Sequence, residues 1–148
     1  SNVQDWWNQL FGPGKCFDTD RYFVVCANVL GSCYGSTGPL STNSKTGKPF
    51  FHTFPQLTIR DQIAAFELLA AHLCIDTINT CIGGSLGGQQ ALEWAISNPK
   101  KIKNLIIMAT NARTSPWGIA LNQTQRMAIQ SDITWKNNDE KAGLEGMG

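Results

Sequence analysis

Apolar residues are grouped along this chain in two patterns, and each pattern predicts its own type of element. Short continuous runs rich in β-branched and aromatic residues occupy positions 21–30, 77–82 and 104–109. Such runs are typical of strands that are buried on both faces of a parallel sheet. The pattern therefore predicts three strands, and we expect the one at 21–30 to be central.

Apolar residues at helical spacing follow Thr58 and Asp61, whose separation by three positions resembles a capping box with Asp in place of Glu. We expect this helix to end near position 72. Two further helices are predicted at 89–97 and 116–130, and the second is followed by a charged, loose tail.

The elements alternate as strand, helix, strand, helix and strand over 21–109. This order with short turns is typical of a parallel sheet flanked by helices, so the predicted fold class is α/β. The segment 31–55 is rich in Gly, Ser, Thr, Asn and Pro and shows no period. Loops of this length are uncommon and are usually functional or disordered. Its cluster of phenylalanines favours an ordered loop.

Length and charge narrow the functional classes. The 148 residues suffice for one domain. The formal net charge is +1, and the sequence contains no block of basic residues that would attract a polyanion. No apolar run approaches the roughly 20 residues that cross a bilayer. We therefore expect neither a nucleic acid nor a membrane as a partner.

The cysteines bear on the compartment. Five of them, without a C-x-x-C pair, argue against a disulfide framework and against a zinc ribbon. This usage favours a reducing compartment, so we expect a cytoplasmic protein. Cys26 and Cys81 lie within predicted strands, where we expect them to be small buried hydrophobic residues.

Residues 83–87 read Gly-Gly-Ser-Leu-Gly and match the G-x-S-x-G pattern between a predicted strand and a predicted helix. So abrupt a reversal forces Ser85 into a strained backbone conformation, and we expect the flanking glycines to prevent collision between strand and helix. The Ser85 hydroxyl would protrude at the carboxyl edge of the sheet as a nucleophile. The amide of Leu86 would donate to an oxyanion in the same space.

Two other interpretations of this turn stay open, a phosphate cradle and a plain glycine-serine linker. The dinucleotide fingerprint fails because Ser85 stands where its second glycine is required, and the P-loop fails because no Lys follows Gly88. A non-catalytic module that binds a phosphate-bearing ligand is therefore kept as an alternative.

A serine nucleophile needs a general base, which in hydrolases of this type follows the serine in the chain. The two histidines, His52 and His72, both precede Ser85, and we expect structural or solvent-exposed roles for them. His72 lies near a predicted helix end, where the helix dipole favours it. Either the motif is a decoy or the chain is a piece of a longer enzyme, and the second interpretation is favoured.

Several further blocks occur in order along nearly the whole chain. They are Trp6-Trp7, Gly12-Pro13-Gly14-Lys15, Phe17-Asp18-Thr19, Asn28-Val29-Leu30-Gly31, Cys33-Tyr34-Gly35-Ser36-Thr37-Gly38-Pro39, Thr58-Ile59-Arg60-Asp61, Gly83-Gly84-Ser85-Leu86-Gly87-Gly88 and Ala91-Leu92-Glu93-Trp94-Ala95. Together they resemble the homoserine O-acetyltransferase family of methionine biosynthesis. The chain departs from the family's common pattern at Ala27, Ser32 and Leu86, and a backbone donor at position 86 does not depend on its side chain.

The resemblance implies an α/β-hydrolase fold, here incomplete, with a core over 1–114 and the beginning of a helical lid insertion over 115–148. It implies transfer of an acyl group from acyl-CoA to the side-chain hydroxyl of L-homoserine through an acyl-serine intermediate. Ser85 matches the family's nucleophile, and the Leu86 amide matches one oxyanion donor. The triad acid, its His and a substrate-binding Arg are expected beyond Gly148 and the other oxyanion donor before Ser1, so the chain alone is expected to be inactive.

The resemblance also implies acyl-CoA as a co-substrate, with no bound cofactor or metal ion, and a homodimer through the lid. The choices between acetyl-CoA and succinyl-CoA, and between homoserine and serine, stay open. Another serine hydrolase, an esterase or a peptidase, is the main rival. Arg113 and Arg126 are candidates to attract a substrate carboxylate or CoA phosphates, whereas Arg60 is expected in a structural ion pair.

Overall fold

Three α-helices and two strands make up the regular structure of residues 9–143, the part of the chain that the computed structural model describes. In chain order the elements are α1 (Ile59–His72), β1 (Ile78–Gly84), α2 (Leu86–Ser97), β2 (Ile102–Met108) and α3 (Pro116–Ser131). Short 3-10 helices cover Phe51–Thr53 and Ile133–Asn137. These helices and strands lie where the sequence predicts them, with ends shifted by at most three residues. The Trp6-Trp7 block lies outside the described residues.

The two strands pair in parallel, with Ile78 opposite Ile102 and Gly84 opposite Met108. Helix α2 connects them and packs on both, and α1 packs on α2. The predicted parallel sheet flanked by helices is thereby confirmed. The buried apolar residues come from α1, α2 and β2 and are Ile63, Ala70, Ala91 and Ile102.

Helix α1 begins at the predicted capping box. The Thr58 amide donates to Asp61 Oδ2 at 2.7 Å, and the Asp61 amide donates to Thr58 Oγ1 at 3.2 Å. Hydrogen bonds from the Thr58 side chain and then from its backbone lower the pKa of Asp61. The helix ends at His72, which is exposed in the last turn as expected.

The strand predicted at 21–30 is absent from the described structure. Residues 22–29 have no assigned secondary structure and pair with neither β1 nor β2. Phe23 is 78% exposed, and Cys26 is exposed as well, contrary to its predicted burial. The segment has the apolar composition of a strand, but a strand forms only where a neighbouring strand supplies hydrogen-bond partners, and neither described strand pairs with it.

Cys81, in contrast, lies half-buried in β1. Burial raises the pKa of its thiol, which keeps the group protonated at neutral pH. Cys81 is therefore only partly buried, less than the sequence predicts, and its thiol is protonated as expected of a small hydrophobic residue.

The segment 31–55 is a series of hydrogen-bonded turns. The Gly31 amide donates to the Thr37 carbonyl at 2.8 Å, and the Phe51 amide donates to the Pro39 carbonyl at 2.7 Å. The rings of Phe50 and Phe54 meet edge to face, with centroids 5.5 Å apart. The aromatic cluster thus holds the loop in the ordered form expected of it.

Ser115 caps the N-terminus of α3, because its hydroxyl accepts a hydrogen bond of 3.2 Å from the Gly118 amide. The helix itself contains no buried residue. After it, the ring of Trp135 stacks on the ring of His52 with 4.0 Å between centroids. The His52 amide also donates to Asn138 Oδ1 at 2.9 Å. His52 therefore has a structural role, joining the segment 31–55 to the residues after α3.

Of the helices in residues 9–143, none combines the length and the apolarity that a bilayer crossing requires.

Candidate active site

The turn between β1 and α2 consists of one residue. Strand β1 ends at Gly84, α2 begins at Leu86, and Ser85 between them has φ 53° and ψ −119°. This positive-φ conformation, which lies outside the regions that L residues favour, costs a residue with a side chain roughly 1–3 kcal/mol and is found mostly at functional sites. The strain that the sequence predicts at Ser85 is confirmed.

Two glycines make this turn sterically feasible. A Cβ atom on Gly83 would overlap the Gly87 carbonyl oxygen and lie 2.7 Å from the Gly88 amide nitrogen. A Cβ atom on Gly88 would lie 2.5 Å from Thr110 Cγ2. The prediction that glycine is required before the turn is thus correct at Gly83. On the helix side the residue that must be glycine is Gly88 and not Gly87, because a Cβ on Gly87 would have its nearest neighbour 4.0 Å away.

The hydroxyl of Ser85 is not used to cap its own helix. Thr58 and Ser115 are the N-cap residues of α1 and α3. Each has an extended backbone, and its hydroxyl accepts a hydrogen bond from an amide in the first turn of its helix. Ser85 is exposed and makes no such bond, since its positive φ turns the side chain away from the helix. Among the three described α-helices, α2 alone leaves its N-cap hydroxyl available for chemistry.

The amide of Leu86 occupies the first position of α2. The first four N–H groups of a helix have no acceptor within the helix, and the helix dipole places partial positive charge there. An anion that forms beside Ser85 would therefore meet a donor and a favourable field. The role of Leu86 as an oxyanion donor stays a prediction that this geometry supports.

A cleft of about 460 Å³ lies beside the turn. It is lined by residues 29–32, by Phe54 and Leu57, and by Gln62 and Leu86. Gln62 is buried, and its Oε1 accepts a hydrogen bond of 2.7 Å from Nε2 of Gln90 on α2. The cleft is thus mainly apolar, with a carboxamide held in place at its wall.

The sequence alone did not identify two residues that support the turn, Met108 and Thr110. The Ser85 amide donates to the Met108 carbonyl at 3.0 Å, and Thr110 packs on Gly88. Both lie where β2 ends, at the sheet edge that carries Ser85. The position directly after a predicted parallel strand was the available signal.

The described residues do not bring a general base to Ser85. His52 stacks on Trp135, His72 is exposed at the end of α1, and neither forms a hydrogen bond with Ser85. Arg113 and Arg126 are exposed, and Arg126 Nε donates to the Asn122 carbonyl within α3 at 3.3 Å.

Arg60 forms the structural ion pair expected of it. Its Nε lies 2.8 Å from Glu93 Oε1 and links α1 to α2. Residues 9–143 contain no group of three or more His, Cys, Asp or Glu side chains that could hold a metal ion.

Fold and turn together define a class of protein. Here a strand of a parallel sheet leads through a strained serine directly into a helix. This arrangement is how α/β hydrolases present their nucleophile. A family model described as alpha/beta hydrolase fold matches residues 2–142, and the chain belongs to this family. Within this family, the chain is similar to homoserine O-acetyltransferases. The enzyme from Cyclobacterium marinum is 54% identical, and the match covers 99% of this chain and 42% of the enzyme's own length. That of Geotalea uraniireducens is 53% identical over 90% of this chain and 36% of its own length.

Solved structures give the same fold. The crystal structure of homoserine O-acetyltransferase from Bacillus anthracis superposes with a TM-score of 0.89 at 31% identity, over 96% of this chain and 40% of that one. The crystal structure of esterase E22 superposes with a TM-score of 0.87 at 33% identity, over 95% of this chain and 41% of that one. The chain therefore spans about two fifths of the length of these relatives.

Proposed function

We propose that this chain is the nucleophile-bearing part of an acyltransferase that moves an acetyl or succinyl group from acyl-CoA to the hydroxyl of L-homoserine. The observation that carries the proposal is the hydroxyl of Ser85, because Ser85 is exposed and its side chain makes no capping hydrogen bond to α2. The residue has φ 53° and lies between β1 and α2. The substrate class is supported by relatives of 54% and 53% identity that are named homoserine O-acetyltransferase.

In the first half-reaction, Ser85 Oγ attacks the thioester carbonyl of acyl-CoA. A histidine contributed by the rest of the protein takes the hydroxyl proton, and the Leu86 amide donates to the oxyanion that forms. The carbon–sulfur bond then breaks, and the proton passes to the departing CoA thiolate. The product is an ester on Ser85.

In the second half-reaction, the homoserine hydroxyl gives its proton to the same histidine and attacks the ester. The bond to Ser85 Oγ breaks, and the proton returns to Ser85. Transfer competes with hydrolysis, so water must be kept from the ester.

We assign the exclusion of water from the ester to residues near the turn and to the segment after the core. We assign 1–114 to the core and 115–148 to the beginning of a lid, and we assign the lid to a homodimer contact in the complete enzyme. The exposed apolar side chains of α3 support a covering role, and they are Trp117, Ile119, Leu121 and Met127. The apolar cleft beside Leu86 supports the placement of an acyl donor or acceptor there.

The test uses a full-length protein that contains this chain. Release of the CoA thiol from acetyl-CoA or succinyl-CoA is followed with and without L-homoserine or L-serine, and the products are identified by mass. We expect thiol release to depend on homoserine and to match the amount of O-acylhomoserine. Thiol release that is equally fast without an acceptor would contradict the proposal.

An esterase is the second candidate, and the likeness to esterase E22 is the observation that favours it. The same Ser85 turn would then form the acyl-enzyme with water as the acceptor. Hydrolysis of short-chain esters at a rate that homoserine does not change, together with the absence of O-acylhomoserine, would identify this activity.

A further inference from the structure

The end of β2 and the residues directly after it contact the Ser85 turn and the first turn of α2. Met108, the last residue of β2, accepts the hydrogen bond of 3.0 Å from the Ser85 amide. Ala109 follows with φ 47°, a left-handed conformation that an alanine adopts only at a cost of roughly 1–2 kcal/mol. The strained bend at Ala109 turns Thr110 back toward α2.

Thr110 fills the space that Gly88 leaves open. Its Cγ2 and Cβ atoms lie 2.5 Å and 2.8 Å from the position of a Cβ on Gly88. The first turn of α2 therefore rests directly on the methyl group of Thr110. Because Ser85 and Leu86 begin that turn, a shift of α2 on this contact would move both the nucleophile and the proposed oxyanion donor.

The hydroxyl of Thr110 takes no part in this packing. Its Oγ1 is buried and has no hydrogen-bond partner within residues 9–143. A buried hydroxyl without a partner costs about 1–3 kcal/mol. Valine has the same shape without that cost, so it separates the contribution of the methyl group from that of the hydroxyl.

We propose that Thr110 is a positioning residue for Ser85, acting through its methyl group on the first turn of α2. This inference rests on the proposed function of Ser85 as an acyl acceptor. It predicts that loss of the methyl group misaligns the hydroxyl while the folded fraction stays the same. A misplacement of about 1 Å can slow a positioned reaction by roughly 100-fold.

The test measures acylation of Ser85 in the full-length protein by p-nitrophenyl acetate, without an acyl acceptor. One p-nitrophenolate is released rapidly per active site, so the burst amplitude counts competent sites and the burst rate constant reports their alignment. We expect Thr110→Ser to lower the rate constant roughly ten-fold or more at an unchanged amplitude. Thr110→Val is expected to keep the rate constant within about two-fold, and Thr80→Ser on β1 serves as the matched control.

A compensating pair keeps the test decisive if Thr110→Ser folds poorly. Gly88→Ala places its Cβ 2.5 Å from the Thr110 methyl group and 2.8 Å from Thr110 Cβ, so it is expected to slow the burst. Adding Thr110→Ser removes the closer of these two contacts and is therefore expected to restore part of the rate. Two merely destabilising changes would instead add their effects. The proposal is overturned if Thr110→Ser acylates as fast as the parent, if Thr110→Val is as slow as Thr110→Ser, or if the double variant is slower than Gly88→Ala.

These outcomes are distinct from a failure of the proposed function. A normal burst in the parent without transfer to homoserine would refute the acyltransferase assignment and leave the Thr110 test intact. The absence of both p-nitrophenolate release and an acetyl adduct by intact mass in the folded parent would refute Ser85 as nucleophile, and the positioning role of Thr110 with it.

Discussion

Gly83 and Gly87 approach each other so closely that a Cβ atom on Gly83 would overlap the carbonyl oxygen of Gly87. The contact joins the end of β1 to the first turn of α2, on the two sides of Ser85. The backbone groups involved are fixed by the β1–β2 pairing and by the helix, so neither side can give way. The space for the strained turn is therefore created by the absence of a side chain at position 83.

Replacement of Gly83 by alanine is expected to disrupt the turn. Overpacking of well-packed sites costs about 1–3 kcal/mol, and a collision with backbone lies at the upper end or beyond it. We expect Gly83→Ala to lower the free energy of unfolding of the full-length protein by about 3 kcal/mol, measured by denaturant titration.

Gly87→Ala is the matched control for that variant. A Cβ at position 87 has its nearest neighbour 4.0 Å away, and alanine is the better helix former by roughly 1 kcal/mol. Stability equal to or above that of the parent is expected. Equal losses for the two variants would show that the G-x-S-x-G spacing, rather than the Gly83 contact, carries the requirement.

Ser85 itself is expected to trade stability for reactivity. Its φ of 53° suits glycine far better than any residue with a Cβ. We expect Ser85→Gly to be more stable than Ser85→Ala by roughly 1–2 kcal/mol, because only glycine relieves the strain. The comparison is made by thermal and denaturant unfolding of the two full-length variants.

Both variants lack the hydroxyl, so neither is expected to form an acyl adduct. Intact mass after incubation with acetyl-CoA is the measurement, and the parent is expected to gain one acetyl group. An adduct that persists in Ser85→Ala would place the nucleophile elsewhere.

Local signals in the sequence predict most of this site. The strand, the glycines and the helix that meet at Ser85 are adjacent in the chain, so their geometry follows from steric rules that act over a few residues. The capping box at Thr58 and Asp61 is likewise local, and its position is confirmed. These features need no knowledge of the rest of the fold.

What the sequence did not predict depends on contacts across the chain. The pairing of Gly88 with Thr110 joins residues in different elements. The position of Thr110 directly after a predicted strand places it near the turn, but it does not identify Gly88 as the residue it contacts. The apolar run at 21–30 shows the converse, because its pattern is that of a strand while the described residues supply no partner for it. Hydrophobic pattern indicates where burial is favourable, but the neighbour that provides it is decided by tertiary structure.

The capping box gives α1 a pH-dependent N-terminus. The pKa of Asp61 lies below its ordinary value, because the carboxylate accepts hydrogen bonds from the Thr58 side chain and backbone. A lowered pKa means that the stabilisation is complete above the ordinary Asp value of about 3.9 and is lost as the pH falls through the folded-state pKa. We expect Asp61→Asn to lower the thermal midpoint at pH 7 and to match the parent at the acid end.

Asp61→Glu is the control, since Glu is the usual partner in a capping box. It is expected to restore the thermal midpoint at pH 7 to near that of the parent. A midpoint of Asp61→Asn that is parallel to the parent's at every pH would show that the Asp61 charge is not involved.

Glu67 on α1 joins three parts of the core. Its Oε2 accepts a hydrogen bond of 2.5 Å from Lys101 Nζ, next to the start of β2. Its Oε1 accepts from Trp94 Nε1 on α2 and, at 3.0 Å, from Asn98 Nδ2 directly after α2. The side chains of Glu67 and Lys101 are only 30% and 18% exposed, so this pair is shielded from solvent far more than a surface ion pair.

The pKa of Glu67 reflects a balance that favours its charged form. Burial raises the pKa, but the hydrogen bonds from Lys101 and Trp94 and the positive charge of Lys101 together outweigh burial, so the pKa lies below the ordinary value. The stabilisation is therefore complete above about pH 4.3, the ordinary Glu value, and is lost as the pH falls through the lower folded-state pKa.

Glu67→Gln is expected to lower the free energy of unfolding at pH 7 by about 1–3 kcal/mol, because it removes the charge from a carboxylate with three donors. The difference from the parent is expected to shrink as the pH falls from the ordinary Glu value of about 4.3 through the lower folded-state pKa of Glu67, where its carboxyl group becomes neutral. Glu93→Gln is the matched control, because its partner Arg60 is 84% exposed and such pairs contribute about 0–1 kcal/mol. Denaturant titrations of the three proteins between pH 3 and pH 8 supply the comparison. A loss in Glu93→Gln as large as that in Glu67→Gln would contradict the assignment of Glu67 as the polar link between α1, α2 and β2.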